Sequence, residues 1–319
     1  MTTLNTNLEL IVGDLLMKNP IKQTATKAPK VNNLATAERV NKVLECWNEL
    51  GQKIFDFFKA EKGSANMVDL RGKFKKELDF LNENVKFEDV SFEVTGKYIK
   101  AFIGEKRIAQ LSTENKKLLP NKFGQGFLIW SILGHITCNG KTPLCASYCY
   151  NNSKSFAGHI VFKTDCLITS QLSIFEKVIE KMITLSPHKE TFVRIHEDGD
   201  FYDMEYFNKW MNIAKNNKNI TFEAYTKEPE LLEKVEKINS ENENVVLRFS
   251  LMEDSATETI QFVRENNLPN YTCLGTKKKD AEAKKVFEYV APKNRCMDSC
   301  EYCKKCYRKS NITIVTKIH

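Results

Sequence analysis

The chain has 319 residues, 42% hydrophobic and 28% charged, with 13 Gly and 8 Pro, enough apolar material for a sizeable core. No stretch approaches the roughly 20 apolar residues of a membrane span, and Met1-Thr2-Thr3-Leu4-Asn5 lacks the basic region of a signal peptide, which argues against membrane and secretion. The net charge of +7 is Lys spread through an Asn-rich chain, a background that explains it without a nucleic-acid partner.

Residues 1–35 combine a short apolar patch, Leu8 to Met17, with a polar run holding Pro20 and Pro29, and read as a tail or flexible linker. From Thr36 to about Ala60, Val40, Val43, Leu44, Trp47, Leu50, Ile54, Phe57 and Phe58 recur at helical spacing. Met67 to Leu81 repeats the pattern after Gly63-Ser64, so a helical hairpin is expected. Between Val90 and Leu111 the period becomes two, with Gly96 and Gly104 at the turns, as in a small antiparallel meander. Residues 36–120 thus form an N-terminal part in which the lone Cys46 belongs to packing.

Residues 121–319 alternate apolar runs with amphipathic stretches. The runs are Phe127–Trp130, Phe192–His196, Ile220–Tyr225, Val245–Phe249, Tyr271–Cys273 and Ile312–Val315. Helices are expected over Ile168–Leu185, Tyr202–Asn216, Pro229–Ile238, Ala256–Asn266 and Lys277–Tyr289. From the second run to the fifth the repeat is about 25–30 residues, the size of a βα unit, which predicts an α/β fold with a parallel sheet. A full or partial barrel is its natural closure, and an open doubly wound sheet also fits the period. Polar residues follow the runs: Cys138, Glu197-Asp198-Gly199-Asp200, Thr226-Lys227-Glu228, then Ser250 with Glu253-Asp254. The carboxyl ends of parallel strands form the functional face, so one rim collects them.

Ten Cys without an export signal point to a reducing, cytoplasmic setting in which clustered thiols hold metal. Cys138, Cys145 and Cys149 form a C-x6-C-x3-C group in a Gly- and Pro-containing loop. Three soft ligands suit an iron–sulfur cluster with one open iron, or zinc completed by His135 or His159. Cys296, Cys300, Cys303 and Cys306 form a C-x3-C-x2-C-x2-C run that can saturate one centre, either a cluster or a closed zinc site. Cys166 reads as packing, and Cys273 as packing or a further ligand. In Arg194-Ile195-His196-Glu197-Asp198-Gly199-Asp200, His196 with Asp198 suits metal binding, acid–base chemistry or hydrogen bonds to a ligand amino group, and Asp200 is a candidate helix cap.

Thr137-Cys138 with Pro143-Leu144-Cys145 and Cys149-Tyr150, Arg194-Ile195-His196 with Gly199-Asp200-Phe201-Tyr202, Ala224-Tyr225-Thr226, and the terminal Cys run together resemble the phage "gene product 88" family. That family is similar in layout to radical S-adenosylmethionine proteins. The resemblance spans about residues 130 to 319 and implies a radical-enzyme-like barrel from a phage or mobile element. It implies that Cys138, Cys145 and Cys149 hold a [4Fe–4S] cluster whose fourth iron binds S-adenosylmethionine, with an electron donor serving it. It also implies that the Glu197-Asp198-Gly199-Asp200 turn receives the cofactor's amino group and that Arg248 and Ser250 touch its carboxylate or ribose; His196, Asp198 and Asp200 are the candidate catalytic residues, and Tyr225 is a further candidate cofactor contact. The spacing here differs from the C-x3-C-x2-C of the main radical group.

Two other classes fit the residues. One is a zinc-stabilised nucleic-acid-binding protein, from Lys277-Lys278-Lys279 and from Lys304-Lys305 beside Tyr302 and Tyr307. The other is a metal-dependent hydrolase using His196 with Asp198 and Asp200, its cysteines purely structural.

Overall fold

A computed structural model of the protein describes residues 34–61, 66–115, 118–121, 123–147, 149, 157–274, 292–296 and 300–317. Most of the expected tail, residues 1–33, and the expected helix over 277–289 lie outside them. Helix α1 (Leu34–Ala60) buries Val43, Trp47, Leu50, Ile54 and Phe57, a stripe spaced by three and four residues. The stretch expected as one helix over 67–81 is two, α2 (Met67–Lys73) and α3 (Lys75–Asn84), because Phe74 leaves helical geometry at φ −115° and ψ 24°. Asn66 caps α2, its side-chain oxygen accepting from Asp69 N at 2.9 Å.

Strands β1 (Val90–Thr95), β2 (Tyr98–Ile103) and β3 (Lys106–Ser112) pair antiparallel in chain order, with Ile99, Ala101 and Ile103 turned inward at period two. Gly104, at φ +57°, makes the two-residue turn into β3. β3 meets β4 (Gln125–Ile129) antiparallel, and from there β5 (Glu190–Ile195), β6 (Thr221–Thr226), β7 (Val245–Met252), β8 (Asn270–Leu274) and β9 (Thr313–Lys317) add parallel, each beside its predecessor. The nine strands form one open, mostly parallel sheet in sequential order. Among the described residues β1 and β9 remain its edges, so the fully closed barrel expected from the βα period is not formed. The strand order also lacks the reversal of a doubly wound sheet.

Between the strands lie α4 (Pro143–Ser147), α5 (Ala157–Gln171), α6 (Phe175–Thr184), α7 (Met204–Asn216), α8 (Pro229–Leu232), α9 (Val235–Glu241) and α10 (Thr257–Glu265). After β8 comes α11 (Cys300–Cys303), then a 3-10 turn over Lys305–Tyr307. Sequential parallel strands with crossovers of one hand place their helices on one face. That face holds Leu128, Trp130, Val193, Ile195, Phe222, Ala224, Leu247 and Phe249 in the main core. The alternate residues Phe127, Ile129 and Phe192 turn the other way, into a smaller core with Leu118 and Tyr307 from the terminal segment. Every residue of β7 is buried, as a parallel strand covered on both faces must be.

The helix expected over 168–185 is also two, and the first begins eleven residues earlier, at Ala157. α5 escaped the periodicity because it turns Lys163, Thr164, Asp165, Thr169 and Ser170 inward, leaving no purely apolar stripe. Asp165 accepts from Trp47 Nε1 at 3.0 Å and pairs with Lys106 at 2.8 Å, joining α1, β3 and α5. Burial pushes the Asp165 carboxyl up, against the pull of Lys106. Cys166, beside it, is buried packing as expected, its thiol pushed up to about 12 by desolvation. No helix among the described residues is long and apolar enough to cross a membrane.

Since α1 and the parallel strands share one core, Trp47→Ala should destabilise the whole chain by about 3–5 kcal/mol. Urea unfolding followed by fluorescence and by circular dichroism should show one shifted transition; a second, unshifted transition would mean that the N-terminal helices fold separately.

Candidate functional site

The loop after β4 carries Cys138, Cys145 and Cys149, and it is fastened to the ends of the next three strands. Asn139 Nδ2 donates to Tyr202 O at 3.0 Å and to Glu228 Oε2 at 2.8 Å. A Cβ on Gly140 would stand 1.7 Å from the Lys227 carbonyl oxygen, so only glycine allows this approach of loop to β6 end. Leu144 N donates to Asp254 Oδ2 at 2.7 Å, just beyond β7. Lys141 Nζ donates to His135 O at 2.9 Å within the loop itself. The rim expected from the sequence is therefore assembled.

Under this loop lies the 197–200 turn. Gly199 has φ +87°, and a Cβ there would meet Ile132 Cγ1 at 2.5 Å, which explains the glycine twice over. Asp198 forms a largely buried ion pair of 2.5 Å with Lys163 of α5. Asp200 accepts from Phe201 N and from Lys227 N, both at 2.7 Å. It clips the β5 loop to the β6 loop and does not cap α7; the cap is Asp203, whose Oδ1 accepts from Tyr206 N at 2.7 Å. Burial pushes the Asp200 carboxyl up to about 6 even though these donors oppose the shift. Lys227 Nζ donates to Ser250 Oγ at 2.9 Å, bringing the β7 end into the same group.

Cys138 sits at the centre of this arrangement. Its thiol is raised well above the usual cysteine range, first by burial and then by Asp200, Asp198, Cys145 and Cys149. Cys145 and Cys149 thus lie within the electrostatic reach of the Cys138 thiol. Among the described residues no three His, Cys, Asp or Glu side chains are gathered closely enough to hold a metal ion. The soft donor set fits a thiophilic metal.

His196 is placed differently from Asp198 and Asp200. Its backbone is left-handed, φ +65°, and its ring packs edge-on against Phe201 at 4.7 Å in the helix-side core. Nε2 shares a 2.9 Å hydrogen bond with Tyr206 OH, which also accepts from Trp130 Nε1 at 2.9 Å. Burial, aided by Arg194, lowers its pKa to about 3. Glu197 is exposed, its carboxylate accepting from Asn115 Nδ2 at 2.7 Å. His135 is buried beside Phe58, whereas His159 is exposed on the first turn of α5.

The second cysteine group lies on the opposite face of the sheet from the crossover helices. Cys300 and Cys306 pack against the smaller core, and Cys296 N donates to Val315 O of β9 at 2.8 Å. Beneath them, Arg194 grips Glu223 of the neighbouring strand with hydrogen bonds of 2.9 and 2.7 Å, and lies 3.8 Å from the Tyr225 ring centre. Tyr225 in turn packs on Tyr271 at 4.3 Å. Arg248, fully buried, donates to the carbonyls of Lys305, Cys306, Arg308, Ser310 and Ile312 and to Ser310 Oγ. The cofactor contacts implied for Arg248 and Tyr225 thus fall on the terminal segment's side of the sheet. Cys273 stands on β8 opposite Met252 and Thr316.

Sequence reasoning placed Lys227 on the rim and Arg194 in a motif but gave no individual role to Lys163, Arg194, Glu223 or Lys227. Arg194 and Glu223 did carry a signal, being charges in the middle of apolar strand runs. Lys163 carried none, because its partner lies across the fold.

The open sheet with a cysteine loop at its strand ends and a second cysteine group on one face defines a cysteine-rich α/β protein. The family model for gene product 88 matches residues 105–313, and the chain belongs to that family. The match takes in β3 and the parallel strands β4 to β8, beginning and ending earlier than the resemblance read from motifs. No curated protein matches the chain, and no solved structure does.

His196 should govern acid sensitivity. Its folded pKa lies below its unfolded value near 6.5, so its contribution is full above pH 6.5 and is lost as pH falls toward 3. The loss should be about 1.4 kcal/mol per pH unit in that window. His196→Asn, which tolerates the left-handed backbone, should flatten the slope of stability against pH between 6 and 4 in urea titrations; an unchanged slope would contradict this.

Proposed function

We propose that this protein is an iron–sulfur protein with an open three-Cys site and a closed four-Cys site. Cys138, Cys145 and Cys149 would hold the first centre and Cys296, Cys300, Cys303 and Cys306 the second. The observation that carries the reading is the seating of the Cys138 loop: it is clipped to the ends of β5, β6 and β7, with the part-buried Cys138 thiol in the electrostatic reach of Cys145 and Cys149. A thiol held in that field gains when a cation replaces its proton. An open [4Fe–4S] cluster with S-adenosylmethionine would supply one-electron reductive chemistry there.

The chain's own residues would do the holding. Asp200 and Lys227 fix the strand-end loops, and Lys163 orients the Asp198 carboxylate beside Cys138. Ser250, bonded to Lys227, and the Asp198 carboxylate are the polar groups offered to a cofactor at this rim. His196, hydrogen-bonded to Tyr206 in the core, would support the turn that carries them. The sequential strand order agrees with a partial barrel whose strand ends face that loop.

A second reading rests on the terminal segment, where Lys304 and Lys305 are part-buried and Lys293, Arg308 and Lys309 exposed around the four-Cys group, although Tyr307, expected there as a stacking ring, is buried in the smaller core. There zinc would brace a basic surface for nucleic acid. Lys277-Lys278-Lys279 lies outside the described residues, and so does the Tyr302 side chain.

Anaerobically purified protein should be brown and contain iron and acid-labile sulfide. Both should fall by about half in a Cys138→Ala, Cys145→Ala, Cys149→Ala variant, leaving the closed centre. Colourless protein loaded with zinc would overturn the iron reading and favour the second.

A further inference from the structure

The face of the sheet beneath the terminal segment carries more positive than negative charge. Arg194 and Arg248 both project into it, and Glu223 is the carboxylate that answers them. Arg194 takes both oxygens of Glu223. Arg248, with no exposed surface, meets carbonyls and one hydroxyl, and among the described residues no carboxylate lies within ion-pair distance of it. The other ionisable groups packed nearby are the Tyr225, Tyr271 and Tyr307 phenols, neutral because burial raises all three well above their usual range. Lys304, which contacts Gln125 Oε1 and the Phe192 ring, stands at the border in the field of Glu190 and leaves the balance between the two arginines and Glu223 unchanged.

A guanidinium buried without an ion-pair partner of its own is expensive, and carbonyl dipoles and the more distant Glu223 carboxylate offset the cost only in part. The segment that supplies those carbonyls is the one that carries Cys303 and Cys306, and Cys306 lies within the electrostatic reach of both arginines. Four thiolates around a dipositive zinc ion or iron–sulfur core leave a net negative charge on the centre.

We propose that Arg248, seconded by Arg194, is the counter-charge of an anionic tetrathiolate metal centre built on Cys296, Cys300, Cys303 and Cys306. The inference rests on the four-Cys site of the reading above and is indifferent to whether iron or zinc fills it. It makes Arg248 a positioning residue for that centre and gives a reason for a buried guanidinium in the middle of β7. The carbonyl cage then has two effects: it seats the cysteine segment on the sheet and holds the positive charge under the thiolates.

The test uses the full chain carrying Cys138→Ala, Cys145→Ala and Cys149→Ala, so that metal is counted at the terminal group alone. Iron and zinc per chain, and the half-time of metal loss to excess EDTA, are compared in this parent and with Arg248→Met, Arg248→Lys or Glu223→Gln added. Loss should be about ten-fold faster or more with Arg248→Met, the scale of an outer-shell partner. It should stay within about three-fold of the parent with Arg248→Lys, which keeps the charge, and be no faster with Glu223→Gln, which removes the competing negative charge. A merely structural role predicts the opposite for Glu223→Gln, because that change also disturbs the buried Arg194 pair. Parent-like metal retention with Arg248→Met, or equal losses in all three variants, overturns the counter-charge. A parent with no metal at all overturns the four-Cys reading itself, a result separable from the others.

Discussion

Two guanidinium groups and one carboxylate, shut between the sheet and the terminal segment, set the terms for the rest of this fold. Removing one member of such a buried pair costs about 3–5 kcal/mol, so Arg194 and Glu223 hold β5 and β6 in the register that places them side by side. Arg248 imposes a stricter demand: its donors need acceptors, and five of these are carbonyls of residues 305–312. The terminal segment is thereby drawn across the face opposite the crossover helices. Phe127, Phe192 and Tyr307 then close the apolar part of the same interface.

The strand ends depend on this arrangement less directly. With both faces of the sheet covered, the polar loops after β4, β5, β6 and β7 can meet at a single edge. There Asp200, Asn139 and Asp254 act as clips, and the two glycines at 140 and 199 allow backbone to approach backbone where a side chain would collide. Cys138 is left part-buried within the electrostatic reach of Asp200, Asp198 and the other two loop thiols, an environment that disfavours its bare thiolate. A bound cation would reverse that preference.

Much of this was legible in the sequence, for identifiable reasons. Fully buried parallel strands produce continuous apolar runs, so β4 to β9 could be placed to within a few residues. The clustering of polar residues after those runs foretold the rim. What failed to show were features decided by distant partners. α5 was half hidden because Lys163 and Asp165 face inward toward Asp198, Trp47 and Lys106. Asp200 looked like a helix cap, yet Asp203, three residues on, supplies the geometry a cap requires. Sheet closure was undecidable, since a βα period of given length is shared by barrels and open sheets. His196 read as a site residue by its position after a strand, whereas a left-handed backbone turns its ring into the core.

The central claim is that thiolate sulfur in this chain holds metal at two places, the strand-end loop and the terminal segment. X-ray absorption at the iron and zinc edges of anaerobically purified full-length protein tests it most directly. The account predicts bound metal whose first shell is dominated by sulfur, with zinc, if present, at about 2.3 Å from it. A shell of nitrogen and oxygen alone, or protein that carries no metal under these conditions, would contradict it.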